Sequence, residues 1–252
     1  MKINYNKWSL ALLSSAVIIS SLPAVAQARG KFGGNEREPG TVTRNGTFTR
    51  QNGQSGNFSQ TVNHEPGNTN GTTTWQNSNG TERTHTFDNT WNSQTGTGTH
   101  QSSTTYANGQ TTSSQGTWTK TGSGTSSYNG TFTQRNGQVD TVTKTVDHQG
   151  NSTQVDKTIT GPNGQTTTVD KTITKSADGH TTDTTITGPN GKTTTVDNSV
   201  TYTKNADGTV TRTDSGTVTG PNGTVKTFGN TETWTKTYTP NPTPTTTTPG
   251  QN

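Results

Sequence analysis

The chain has 252 residues, 19 Lys and Arg against 15 Asp and Glu, a formal charge of +4, no Cys and 19% hydrophobic residues. So thin and scattered a basic excess excludes an electrostatic nucleic-acid binder. The missing thiols exclude disulfide staples and soft-metal sites. Low apolar content without high net charge leaves ladder-held β-structure or disorder, and the patterning must decide between them.

In chain order, residues 1–26 read as a bacterial-type signal peptide. Lys2 and Lys7 form a basic start, Leu10 to Leu22 an apolar run, and Ala24-Val25-Ala26 a small-residue cleavage pattern. Cutting after Ala26 is expected, with Ala28 as the alternative. The run is too short to span a bilayer, which takes about 20 apolar residues, and no second run follows. The expected location is therefore outside the cytoplasm (extracellular, cell surface or periplasm), with no membrane span. Beyond residue 26 there is no Leu or Met, and Ile occurs only at 159, 173 and 186. Thr, Val and aromatics favour extended chain, so helix is excluded.

Residues 27–40 form a Gly-rich, basic leader expected to be flexible. An irregular Gly/Ser/Thr-rich repeat region then runs over 41–155. There Asn45 to Gln54 (NGTFTRQNGQ) returns as Asn129 to Gln138 (NGTFTQRNGQ). Turn signals include Pro66-Gly67, Asn79-Gly80, Asn108-Gly109 and Gly150-Asn151. Gly and Ser between Gly96 and Tyr128 weaken strand specification in that stretch. A regular hairpin region follows over 156–239, and the Pro/Thr-rich tail 240–252 is expected to be disordered.

The regular region carries the clearest signal. TITGPNGQTTTVD, Thr158 to Asp170, recurs at Thr185 to Asp197 with Lys192 in place of Gln165. Turns of two classes alternate: Pro162-Asn163-Gly164, Ala177-Asp178-Gly179, Pro189-Asn190-Gly191, Ala206-Asp207-Gly208 and Pro221-Asn222-Gly223. Asn-Gly and Asp-Gly between extended segments mark hairpins. In an up-and-down meander the GPNG turns then line one edge and the ADG turns the other. The expected fold is all-β: a repetitive antiparallel hairpin meander, either an elongated sheet, solenoid-like or a sandwich.

Period-2 alternation gives each strand two faces. One is nearly pure hydroxyl: Thr166, Thr168, Thr172 and Thr174; then Thr193, Thr195, Thr201 and Thr203; then Thr209, Thr211 and Thr213; then Thr231, Thr233, Thr235 and Thr237. Asp170 and Asp197 interrupt it. The other face mixes Val, Ile and aromatics with Lys, Arg and acids, and is the expected packing side, folded over another sheet or closed on itself. Thr is at home in a strand, so its face serves structure as readily as binding.

The Thr-x-Thr runs Thr209 to Thr213 and Thr231 to Thr239 resemble the faces of ice-binding β-solenoid proteins, in surface chemistry and not in family sequence. That resemblance implies a flat ice-contacting grid. Trp118 and Trp234 are candidates for stacking on sugar rings, or else for packing. His64, His85, His100, His148 and His180 are scattered, with no metal or nucleophile motif. No catalytic, cofactor or metal site is expected. The chain reads as a secreted, non-enzymatic structural or adhesive β-repeat protein of the cell surface or matrix, self-assembling through strand edges. The alternative is a module binding ice or extracellular polysaccharide. Amino-terminal sequencing of the exported protein is expected to begin at Gln27; a start at Met1 would overturn the signal reading.

Overall fold

The computed structural model describes residues 39–241. They form fourteen strands. In chain order these are β1 (Gly40–Arg50), β2 (Ser55–Glu65), β3 (Asn68–Asn77), β4 (Glu82–Asn92), β5 (Thr97–Tyr106), β6 (Thr111–Lys120) and β7 (Thr125–Thr133). They continue as β8 (Val139–Gln149), β9 (Ser152–Thr160), β10 (Thr166–Lys175), β11 (Gly179–Thr187), β12 (Thr193–Lys204), β13 (Val210–Thr219) and β14 (Val225–Pro240). Among the described residues there is no helix. The signal segment, residues 27–38 of the leader and the tail from residue 242 lie outside the described residues.

Each strand pairs antiparallel with its chain neighbours, and β14 returns to pair with β1, from Gly40 opposite Pro240 to Arg50 opposite Asn230. The sheet is a closed barrel. The expected open arrangements (elongated sheet, solenoid or sandwich) are therefore overturned. Strands from the irregular and the regular repeat regions enter the same wall. Closure satisfies the N–H and C=O rows that an open sheet leaves bare at both edges. It also covers the mixed face without a second layer.

The wall is steeply staggered. Paired residues followed from Gly40 near the start of β1 pass through His64, Asn89, Gly116 and Val142 to Ile159 near the end of β9. The line has crossed from one rim to the other. Strand tilt near 40–45° and about 4.8 Å between strands give a backbone diameter of roughly 25–30 Å.

The rims are built from different turns. One carries seven Asn-Gly hairpins, at Asn52, Asn79, Asn108, Asn136, Asn163, Asn190 and Asn222. In the first, Gly53 N–H donates to Arg50 C=O at 2.9 Å and Arg50 N–H to Gln54 C=O at 2.8 Å. Gly53 takes φ 79°, and Asn52 Oδ1 accepts from Gln54 N–H at 3.1 Å. The left-handed Gly is what lets a three-residue loop match the strand twist. The other rim carries the Pro66-Gly67, Gly96, Gly124, Gly150-Asn151 and both Asp-containing turns. There the stagger leaves strand ends overhanging, and turn carbonyls fill the gap. Gly67, Gly96, Asn151 and Asp178 C=O accept from the N–H groups of Trp91, Lys120, Lys175 and Tyr202 at 2.7–2.9 Å.

Inside, aromatic rings lie over glycines directly opposite them. Trp234 and Phe58 flank Gly46, Phe48 faces Gly56, Phe87 faces Gly71, Trp91 faces Gly98, and Phe228 faces Gly216. A Cβ on Gly46 would stand 2.8 Å from Trp234 Cβ, and one on Gly56 2.8 Å from Phe48 Cζ. Each glycine thus seats a ring, a device that holds register in twisted sheets. This is also why the Gly/Ser stretch from Gly96 to Tyr128, expected to be weakly specified, forms ordinary strands. Gly98 there meets Trp91, and Gly116 meets Tyr128.

Two outcomes follow. A Thr43→Cys/Thr237→Cys chain, with no other thiol to compete, is expected to form an intramolecular disulfide across the β1–β14 seam, seen as faster non-reducing gel migration. An open sheet would leave both thiols free. Gly46→Val should lower stability by about 1–3 kcal/mol in urea unfolding through overpacking, whereas the outward Thr47→Val should change it by less than about 0.5 kcal/mol.

Candidate functional site

Closure turns the two strand faces into an outer and an inner surface, and the buried positions identify the inner one. Phe48, Phe58, Gln60, Val62, Thr73, Trp75, Val142, Val200 and Trp234 all fall on it. Their sequence neighbours alternate outward.

The outer wall carries the hydroxyls. Thr166, Thr168, Thr172 and Thr174 of β10, Thr193, Thr195, Thr201 and Thr203 of β12, Thr211 and Thr213 of β13, and Thr231, Thr233, Thr235 and Thr237 of β14 all face outward. Thr209 does not sit in a strand. It leaves the Asp207-Gly208 turn, with its hydroxyl donating to Asp207 Oδ1 at 2.7 Å. Cross-strand pairing assembles rows the linear sequence does not show. Thr203, Thr211, Thr233 and Thr47 form one, and Thr201, Thr213, Thr231 and Thr49 the next. A longer row runs Thr193, Thr187, Thr168, Thr158, Thr143, Asn129, Thr117, Thr99 and Thr90. Some hydroxyls bond each other, as Thr90 to Thr99 at 2.6 Å and Thr211 to Thr233 at 3.1 Å. Because these rows wrap a cylinder, the expected flat Thr grid becomes a convex wall.

Trp118 and Trp234 are on the inner face, not beside the hydroxyls. Trp234 is 7% exposed. Its ring meets Phe58 edge-on at 6.4 Å and Tyr202 at 6.5 Å, with the Arg44 guanidinium 5.7 Å above it. Trp118 lies 5.1 Å from Tyr128, with Lys144 Nζ 4.3 Å over its ring. Both rings make ring contacts on the inner face, and neither stands among the outer hydroxyls.

What the sequence reading missed is a sorting of charge. Among the described residues every strand Lys and Arg lies on the inner parity, from Arg44 on β1 to Lys236 on β14. Most strand carboxylates lie on the outer one: Glu65, Glu82, Asp88, Asp147, Asp156, Asp170, Asp183 and Asp197. The signal was present in Asp156-Lys157 and Asp170-Lys171, where adjacent residues of opposite charge must face opposite ways.

Inward carboxylates are few, and aromatic faces stand in for them. Arg83 lies 4.3 Å over Trp75 and Arg50 5.4 Å over Phe48, contacts that strengthen as water is removed. An ion-pair cluster forms at buried Arg212, with Nη2 at 2.8 Å from Asp214 Oδ1 and Nη1 at 3.3 Å from Glu232 Oε2. Burial nonetheless pushes the Asp214 carboxyl up to about 6; Arg212 opposes the rise and Glu232 adds to it.

The inner face also holds a hydrogen-bond chain with the chemistry of a nucleophile relay. His100 Nδ1 is 2.6 Å from Asn89 Oδ1 and Nε2 is 3.0 Å from Ser114 Oγ. Burial, then Lys144 and His85, hold the imidazole down to about 4. So depressed a base abstracts protons poorly near neutrality. The three residues stand on regular strands β4, β5 and β6, paired in ladders on both sides, with no turn beside them to converge backbone N–H groups on the Ser114 hydroxyl.

Asp214, raised above the ordinary 3.8, favours the fold in its neutral form, so its contribution is lost as pH rises from about 4 to 6. His100, lowered from 6.5 to about 4, loses its contribution as pH falls through that same window. Relative to wild type, Asp214→Asn should therefore gain thermal stability as pH rises from 4 to 7, and His100→Gln should gain as pH falls. Parallel melting curves for both variants would contradict these assignments.

No protein-family model matches the sequence, and no curated protein matches it significantly, so the functional reading rests on this geometry alone.

Proposed function

We propose that this chain is an exported, non-enzymatic structural or adhesive component of the cell surface or extracellular matrix, making its contacts through the hydroxyl-covered outer wall of a water-facing barrel. The observation that carries this reading is the outward row around the wall from Thr193 on β12 to Thr90 on β4, Thr at every position except Asn129. Rows of hydroxyls at the strand spacing offer many weak donors and acceptors to a hydrated polymer such as polysaccharide. Adhesion through recruited strand edges, the route suggested by long strands, has no starting point where β1 and β14 pair along their length.

The outer wall also favours water over lipid. A membrane-spanning barrel shows an apolar outer band about 25 Å tall. Here the equivalent zone holds Thr, Ser and Asn, with Asp156 opposite Asp170 and Asp183 opposite Asp197. Opposed carboxylates repel even in water and would be costlier in hydrocarbon. The ice reading loses support because a cylinder presents no plane to a crystal face.

Purified residues 27–252 should remain monomeric without detergent and be retained by immobilised extracellular polysaccharide. Thr203→Lys/Thr233→Lys on the outer wall should weaken retention several-fold, and the inward Trp118→Ala should not. Partition into lipid vesicles, or retention lost with Trp118→Ala but kept in the outer-wall variant, would overturn the proposal.

A further inference from the structure

The rim built from Asn-Gly turns holds three arginines set on aromatic rings. Trp75, Arg83 and Tyr106 stand directly opposite one another across β3, β4 and β5. Arg83 lies 4.3 Å over Trp75, and Arg135, in the turn between β7 and β8, lies 3.6 Å over the Tyr106 ring. Arg50, the last residue of β1, lies 5.4 Å over Phe48. Both copies of the NGTFT repeat lead into this rim, one through Arg50-Gln51 and the other through Gln134-Arg135. Arg50 and Arg135 are exposed, and Arg83 is partly so.

Among the described residues, no carboxylate lies within ion-pair distance of these three guanidinium groups. Arg50 Nη1 donates to Gln54 Oε1 at 3.3 Å, while Arg83 and Arg135 make no hydrogen bond among the described residues. Burial holds the Arg83 guanidinium below its ordinary range; Tyr106 opposes this, and Arg50 and Arg135 add to it. The three charges therefore act on one another. Counting each turn with two strand residues on either side, Lys192 and Lys226 join them, and the acids are only Glu82 and Asp140. Glu82 faces outward, accepting from the Thr84 hydroxyl at 3.5 Å, and both Asp140 oxygens accept from Gln134 Nε2. On the same count the opposite rim is balanced, with Lys120, Lys175 and Lys204 against Glu65, Asp178 and Asp207. The Asn-Gly rim is thus the electropositive end of the barrel.

We propose that the arc of this rim carrying Arg50, Arg83 and Arg135 docks an acidic polysaccharide, a polymer of carboxylate-bearing (uronate) sugars. A guanidinium lying on a ring keeps its N–H edge for oxyanions and can meet a carboxylate bidentately. The three arginines come from β1, β4 and the β7–β8 turn, a spread that suits a chain charged at each repeat and not one small ion. Outward hydroxyls border them. Thr49, next to Arg50, ends the row from Thr201, and Thr105 and Thr111 pair beside Tyr106. Hydroxyl and cation together match a polymer that carries both hydroxyls and carboxylates, and charge complementarity selects it over neutral chains. The proposal rests on the polysaccharide reading of the outer wall and narrows it to acidic chains.

The test measures residues 27–252 on immobilised polygalacturonate and on the same polymer fully methyl-esterified, which keeps the hydroxyls and loses the charge. Binding to polygalacturonate should be tighter by roughly tenfold at low salt, and the difference should shrink as sodium chloride is added. Arg83→Gln and the exposed Arg135→Gln, each checked by circular dichroism, should remove most of that difference and leave binding to the ester unchanged. Lys204→Gln on the opposite rim should leave both unchanged. Equal binding to the two polymers would overturn this proposal and leave the outer-wall reading standing, whereas binding to neither would overturn both. A difference that persists in Arg135→Gln and Arg83→Gln would place the acidic contact elsewhere and also overturn it. So would tighter binding to single-stranded DNA, lost in the same variants, since the occupant would then be a nucleic acid.

Discussion

Eleven paired residues join β1 to β14, from Gly40 opposite Pro240 to Arg50 opposite Asn230, and the other properties of the barrel depend on that junction. Without it the molecule would be a long sheet with two bare edges and a mixed face open to water. With it, the backbone groups at both edges are satisfied, and a chain almost without aliphatic bulk gains an interior. The ladder itself supplies much of the cohesion, as is needed when so few side chains are apolar.

Register around the ring is held by the fit of rings onto glycines. Gly46 lies between Phe58 and Trp234, so the seam and its neighbouring strand are keyed by one position. A slip of one residue would send every ring outward and bring the acidic face in. The interior is then defined less by packing volume than by shape, with glycine giving room and the aromatic filling it. Paired turns at the rims complete the lock, Asn-Gly loops at one end and ladder-capping carbonyls at the other.

Charge sorting gives the two surfaces different chemistry. Outside, hydroxyls and carboxylates meet water. Inside, aromatic faces support Arg83 and Lys144, Asp140 acts favourably on Lys157, and carboxylates pair with Arg212. This leaves tension in the wall. Lys144 and Asp214 are both shifted toward their neutral forms by burial, and the His100 imidazole, near Lys144, is held neutral. At neutral pH the cost falls on Lys144 and Asp214, whose charged forms burial disfavours, while the neutral His100 ring carries none.

Sequence alone determined the strands, their alternation and their turns. Thr, Val and aromatics at period two specify extended chain, Asn-Gly and Asp-Gly specify hairpins, and alternation of turn class specifies opposite rims. These are local properties of a few neighbouring residues. The hydroxyl face from Thr166 to Thr237 was legible for the same reason, except at Thr209, where the Asp207 turn takes the residue out of the strand. Only the tertiary structure decided that the sheet closes, that the Thr face is convex and outermost, and that Trp118 and Trp234 turn inward. It also decided that the in-strand glycines are seats for rings and that Lys144 and Lys157 stand opposite each other on neighbouring strands. Those outcomes depend on pairing between residues about 190 positions apart and on a stagger that accumulates around fourteen strands. No local window contains that sum.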